Sequence, residues 1–225
     1  MRAPAAILLD LDGTLVDSVP DLTAGVDHML IALGRAPAGE ARVRDWVGNG
    51  VARLVHRALT GTMETDAPPA DFERGLERFM VHYGAHATDR SRLYPGVAET
   101  LDALAARGFP LGCVTNKPAR FTRVVLEDLG LARHFAVVVS GDEVTRGKPH
   151  PDAVERAAAT LHVRAADCLV VGDSDNDVRA ARACGAGIVA VSYGYNHGRD
   201  IAASAPDAVI DDLRELLALL AAPCD

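Results

Sequence analysis

Short apolar runs recur along the chain, each closed by polar residues: Ala5 to Leu9, Leu111 to Val114, Ala136 to Val139, Cys168 to Val171, Ile188 to Val191 and Ala208 to Ile210. The runs are continuous, without clean alternation of apolar and polar positions, and so predict strands buried on both faces, as in a parallel sheet. Between the later runs the apolar spacing becomes helical. Val97, Leu101 and Leu104 share one face of a segment that stops at Gly108, Arg120 to Leu129 stops at Gly130, and Asp175 to Cys184 stops at Gly185. Strand alternating with helix predicts an α/β fold built on a doubly wound, mostly parallel, Rossmann-like sheet.

The first two strands lie roughly a hundred residues apart, far more than one crossover helix needs. No strand is expected between about residue 17 and residue 92. Apolar positions there follow a helical period: Leu22, Val26, Met29, Leu30 and Leu33, then Val51, Leu54, Val55 and Leu59, then Phe72, Leu76, Phe79 and Met80. Breaks fall at residues 34–39, at Gly61 and at Pro68-Pro69. The expected organisation is a core domain of residues 1–16 and 93–225 with an all-helical domain, residues 17–92, inserted after the first strand.

Composition narrows the classes. The 225 residues are 49% hydrophobic and 24% charged, which excludes a disordered chain. A formal net charge of -8 repels nucleic acid and anionic membrane surfaces. No apolar run approaches the roughly 20 residues of a membrane span. The first residues lack a cleavage-like site, so a cytoplasmic protein is expected. Cys113, Cys168, Cys184 and Cys224 form no C-x-x-C pair and read as small apolar thiols. Of the 23 basic residues only two are lysines, Lys117 and Lys148.

Polar groups just past the carboxyl ends of parallel strands converge in one crevice. Here those ends carry Asp10-Leu-Asp12-Gly-Thr14, Thr115-Asn116-Lys117, a loop leading to Gly147-Lys148-Pro149, and Gly172-Asp173-Ser-Asp-Asn-Asp177. Several carboxylates in one place call for a divalent cation, and an all-oxygen donor set suits magnesium. A lysine facing the same point suits a phosphoryl group. An aspartate beside the ion can attack phosphorus, and a second aspartate can move the proton of the leaving group and then of water. For Asp177 the plainer role of capping the following helix stays open, and Lys117 fits the crevice and the solvent equally well.

These four segments, in this order, resemble the motifs of the haloacid dehalogenase superfamily of phosphatases, and the resemblance covers nearly the whole chain. It implies Asp10 as nucleophile and Asp12 as general acid/base. It implies magnesium held by Asp10, the Asp12 backbone carbonyl and Asp173, and a phosphoryl group held by Thr115, Asn116 and Lys148, with Asp177 supporting Lys148 or a metal-bound water. The helical insertion is similar to the cap of one branch, with Asp17-Ser18 and residues 93–96 as hinge candidates. Asp12 sets the chain apart from the dehalogenases. The absence of lysine from residues 17–92 excludes a Schiff-base hydrolase of phosphonoacetaldehyde.

Trp46 to Val51 and Val191 to Asn196 resemble the bacterial phosphoglycolate phosphatases. That implies a small phosphomonoester substrate, 2-phosphoglycolate first among them, met in the insertion by Gly48, Asn49, Gly50 and Arg53. Another small or sugar phosphate, a hexose phosphate mutase and a receiver-type phospho-aspartate module are the other readings.

Overall fold

In the computed structural model, which describes residues 3–63 and 67–221, the first apolar run forms β1 (Ala6–Leu9). The chain then turns through β2 (Val16–Asp17) into four helices, α1 (Val19–Ala32), α2 (Glu40–Trp46), α3 (Val51–Thr60) and α4 (Phe72–His86), and returns through β3 (Arg92–Leu93). There follow α5 (Val97–Ala106), β4 (Leu111–Val114), α6 (Ala119–Asp128), β5 (Val137–Val139), α7 (Asp152–Thr160) and β6 (Cys168–Gly172). The chain ends in α8 (Asp175–Ala183), β7 (Gly187–Val191), β8 (Ala208–Ile210) and α9 (Glu215–Leu219).

The six expected strands form one sheet in the order β5-β4-β1-β6-β7-β8, with every neighbouring pair parallel. All four residues of β1 are fully buried, and alternate ones serve opposite faces. Ile7 and Leu9 join the apolar cluster that includes α5, α6 and α9, while Ala6 and Leu8 join the one formed by α7 and α8. The first cluster runs on without a break through Leu11, Val16 and Val19 into Val26, Val55 and Phe79 of the helical insertion. Cys113 and Cys168 are buried thiols and Cys184 is half-buried; Cys224 lies outside the described residues.

The sequence predicts no strand at the entrance and exit of the insertion, yet β2 and β3 pair there as an antiparallel ribbon, Val16 opposite Leu93 and Asp17 opposite Arg92. Two residues per strand are too few to leave a period in the sequence. The ribbon is fastened by Asp21 in the first turn of α1, which is 2% exposed. Its carboxylate accepts from the Ser91 amide at 2.7 Å, the Ser91 hydroxyl at 2.6 Å and the Arg90 amide at 3.0 Å.

Replacing Asp21 with alanine leaves the two Ser91 donors buried and without this acceptor, and the expected cost is about 3 kcal/mol. A chemical-denaturation midpoint lowered in Asp21→Ala, with partial recovery in Asp21→Asn, checks this. An unchanged midpoint would show that packing alone closes the junction.

Candidate active site

Strands β4, β1 and β6 are neighbours at the centre of the sheet, with Leu9 in register with Cys113 on one side and Val171 on the other. The residues that follow these strands therefore meet at one edge. Asp10 leaves β1, Thr115 leaves β4, and Asp173 lies between β6 and α8. Lys148 arrives from the loop between β5 and α7, with its Nζ 2.8 Å from Asp10 Oδ1 and 2.6 Å from Asp177 Oδ1, and it donates to the Val114 carbonyl at 3.0 Å. Burial opposes its charge, but Asp10 and Asp177 hold its pKa above that of an ordinary lysine.

A cavity of about 70 Å³ opens above these groups, lined by Asp10, Asp12, Thr115, Asn116, Lys117, Lys148 and Asp173 from the sheet edge. Gly48, Asn49, Gly50 and Val51 line it from the insertion.

Asp173 is fixed from both sides. Its Oδ2 accepts from the Tyr195 amide at 2.5 Å and its Oδ1 from the Thr14 hydroxyl at 3.2 Å. The neighbours must be glycines: a Cβ on Gly13 would stand 2.2 Å from Asp173 Oδ2, and one on Gly194 would stand 2.2 Å from Asp173 Cβ. The Tyr195 side chain reaches the other way, to the entrance of the insertion, where its hydroxyl donates to Asp17 and accepts from the Ser18 amide at 3.0 Å.

Asp10, Asp173 and Asp177 each offer an oxygen within 4.8 Å of the others. Burial, offset in part by Lys148, pushes the Asp10 carboxyl up to about 7. Burial and then the Asp177 and Asp10 charges raise Asp173 well above the carboxylate range. With Asp12 the site holds four carboxylates against two ammonium groups, an excess of two negative charges when all are ionised. A buried all-oxygen site with that surplus fits a divalent cation.

Asp12 faces a second lysine. Lys117 Nζ donates to Asp12 Oδ1 at 2.9 Å and Oδ2 at 3.2 Å, and to the hydroxyl of Tyr83, from α4, at 2.7 Å. Burial pushes the Tyr83 phenol up to about 12. Of the two settings open to Lys117 in the sequence, the crevice is the one it occupies, 5% exposed.

The remaining predicted residues divide. Thr115 is buried beside the cavity with its hydroxyl accepting from the Lys117 amide at 3.2 Å. The Asn116 side chain is tied to the Lys148 backbone in both directions, at 2.8 Å each, so it orients Lys148 with one of its two amide N–H groups. Asp177 has both roles considered for it: Oδ2 closes a capping box with Ser174 at the start of α8 while Oδ1 pairs with Lys148. Gly48 and Gly50 line the cavity, each at positive φ, as is Asn49.

Arg53 does not reach the site: it is exposed, since the buried face of α3 runs through Leu54, Val55 and Ala58. The guanidinium that serves this turn is Arg57, one helical turn on. It is 6% exposed and donates to the carbonyls of Trp46 at 2.7 Å and Gly48 at 3.1 Å and to Asn49 Oδ1 at 2.9 Å. Asn49 in turn donates to Asn176 on α8 at 2.9 Å, joining the insertion to the sheet edge. Arg57 and Tyr83 carry no local motif that marks them in the sequence; Asn176 and Tyr195 lie within the segments Gly172 to Asp177 and Val191 to Asn196, where nothing local shows which partners they hold.

A family model described as haloacid dehalogenase-like hydrolase matches residues 4–185. A phosphoglycolate phosphatase of Nitrosococcus oceani is 47% identical over 220 residues, spanning 98% of this chain and 98% of that protein. Phosphoglycolate phosphatase 1 of Pseudomonas aeruginosa is 47% identical over 218 residues, 96% of this chain and 79% of that protein. The crystal structure of a predicted phosphoglycolate phosphatase from Haemophilus somnus 129pt superposes with a TM-score of 0.91 at 36% identity, covering 97% of this chain and 99% of that one. CbbY of Rhodobacter sphaeroides, solved in complex with phosphate, superposes with a TM-score of 0.73 at 26% identity, covering 95% and 96%.

A Gly194→Ala substitution has nowhere to put its methyl, which would also stand 2.5 Å from the Gly13 carbonyl oxygen. Because that obstacle is backbone, the expected loss is about 1–3 kcal/mol. Thermal unfolding of the purified variant measures it, and a wild-type melting temperature would show that the loop gives way freely.

Proposed function

The chain belongs to the haloacid dehalogenase-like hydrolases, and from that premise we propose that it is a magnesium-dependent phosphatase acting on 2-phosphoglycolate. Hydrolysis of a phosphoric monoester is the activity named in its relatives, at 47% identity over nearly the full length of this chain. The observation that carries the reading is the ion pair of Asp10 and Lys148, 2.8 Å apart and beside Asp173, under a cavity of about 70 Å³ that suits a small ester.

In the proposed reaction a carboxylate oxygen of Asp10 attacks phosphorus. The bond from phosphorus to the alcohol oxygen breaks, its electron pair stays with the departing oxygen, and that oxygen takes a proton from the Asp12 carboxyl. Water then attacks phosphorus and gives a proton to Asp12, while the Asp10 oxygen leaves with the bonding pair. Glycolate and inorganic phosphate result, and both aspartates end as they began. Lys148 and the Thr115 hydroxyl hold the phosphoryl oxygens, and Asn116 and Asp177 hold Lys148. Asp10, Asp173 and the Asp12 carbonyl would bind the magnesium, which when present neutralises charge on the phosphoryl oxygens.

On the leaving-group side, Gly50 and Val51 bring the N-terminus of α3 to the cavity, an end that favours an anion such as the glycolate carboxylate. Residues 17–92 serve as a cap over the core of residues 1–16 and 93–225, flexing at Asp17-Ser18 and residues 93–96. Contacts such as Asn49 to Asn176 and His197 to the Asp45 carbonyl, at 2.9 and 2.8 Å, support a closed position over the ester. Among the described residues no helix is long and apolar enough to cross a membrane, and a cytoplasmic reaction on a free metabolite, without nucleic acid, accords with the net charge of -8.

Phosphate release measured over a panel of small phosphomonoesters tests this reading, with 2-phosphoglycolate expected to be turned over best. Asp10→Asn should lower kcat by three orders of magnitude or more, roughly the loss seen when a nucleophile is removed. Chelation should abolish turnover and magnesium restore it. Magnesium should also raise the melting temperature of the wild type by several degrees, about 2–4 °C per kcal/mol of binding, but not that of Asp173→Asn. Interconversion of hexose phosphates without phosphate release would move the chain to the mutases. A further comparison follows from the two arginines: Arg57→Ala should raise KM for 2-phosphoglycolate about tenfold, whereas Arg53→Ala leaves it unchanged.

A further inference from the structure

The Lys117 ammonium contacts three oxygens, none of them on a phosphoryl-binding residue. They are the two oxygens of Asp12 and the Tyr83 hydroxyl. The backbone of Lys117 is pinned as well: its amide donates to Thr115 Oγ1 at 3.2 Å, and its carbonyl accepts from the Thr122 hydroxyl at 3.3 Å. Tyr83 is fully buried, stacked on Phe79 with centroids 5.3 Å apart and edge-on to Phe121 of α6 at 5.0 Å. A phenol so held does not wander. It ends a rigid line that starts in the insertion and stops at the carboxylate proposed to move protons.

We infer that Lys117 and Tyr83 are positioning residues for Asp12, the Tyr83 hydroxyl aiming the ammonium and the ammonium fixing the plane of the carboxyl group. The inference rests on the phosphatase reading and deepens it. A contact of one ammonium with both carboxylate oxygens leaves the group little freedom to rotate, so its proton points toward one place. While one oxygen carries that proton to the leaving group, the other still accepts from Lys117. Because Tyr83 belongs to α4, just before the chain returns through β3, the aim of Asp12 depends on how the insertion is seated on the core. Lys148 stands in the same relation to Asp10, with a carboxylate and a backbone carbonyl as its fixed partners.

A proton delivered by Asp12 matters for an alkoxide leaving group and hardly at all for a carboxylate one, which separates positioning from general support of the fold. Tyr83→Phe and Lys117→Met are therefore compared with wild type on 2-phosphoglycolate and on acetyl phosphate, with product release followed through the first turnover. On 2-phosphoglycolate the expected losses are about tenfold for Tyr83→Phe and about a hundredfold for Lys117→Met, with KM within about twofold. On acetyl phosphate each loss should shrink to less than about threefold, and adding Tyr83→Phe to Asp12→Asn should cost nothing more on 2-phosphoglycolate. Tyr83→Phe keeps the ring in its packing and remains informative if Lys117→Met fails to fold. Equal losses on the two substrates, or a wild-type rate in Tyr83→Phe, would overturn the inference and leave the phosphatase reading intact. A wild type that hydrolyses neither compound would overturn both.

Discussion

Four carboxylates and two ammonium groups share one buried edge of the sheet, and that concentration of charge governs the rest of the structure. Ions are costly to desolvate unless each finds partners of opposite sign or fixed dipoles. Lys148 meets this with two aspartates and a backbone carbonyl, and Lys117 with both oxygens of one aspartate and a phenol. The negative surplus that remains favours a divalent cation, whose charge under the proposed function would also offset that of a phosphoryl group. The sheet order follows from the same need. Only with β4, β1 and β6 adjacent do Thr115, Asp10 and Asp173 come within reach of one another.

Around this centre side chains are used to aim other side chains. Asn116 grips the backbone of Lys148, Asp177 joins the capping of α8 to an ion pair, and the Tyr195 amide and Thr14 hydroxyl hold Asp173. Tyr195 also holds the entrance of the insertion through its hydroxyl. The groups proposed to carry the reaction therefore rest on a frame rooted in strands and helix starts. The insertion touches that frame at a few polar points, among them Asn49 with Asn176 and Tyr83 with Lys117. A rigid floor under a roof of separate helices suits a reaction that must exclude water and then release its products.

What the sequence makes legible is local. Continuous apolar runs reveal strands buried on both faces, and chemistry at strand ends follows from the geometry of parallel sheets, so Asp10, Lys148 and Asp173 are found without coordinates. The β2–β3 ribbon escapes notice because two residues have no period. Arg53 and Arg57 lie one turn apart on one short helix, and which of them reaches the 48–50 turn depends on how the chain before α3 folds back along it, a tertiary fact. Tyr83 sits in a helical apolar pattern and looks like one more core residue. Its hydroxyl gains meaning only when α4 is laid against the loop after β4. The hold of Asn116 on Lys148 cannot be read from a motif, since its partner is a backbone 32 residues away.

The scarcity of lysine was the one compositional clue that pointed inward. With 23 basic residues and only two lysines, the chain uses arginine almost everywhere a cation is wanted. Both lysines lie buried at the site, each 5% exposed. An ammonium is compact and directs its donors to the corners of a tetrahedron, so it can sit among two carboxylates and a carbonyl at once. A guanidinium is a broad planar fork whose donors all lie in one plane. Arg57 shows the contrast within the same molecule, spreading over two carbonyls and one amide oxygen along the edge of a turn. At positions 117 and 148 the partners close in from several directions, an arrangement that suits the compact cation.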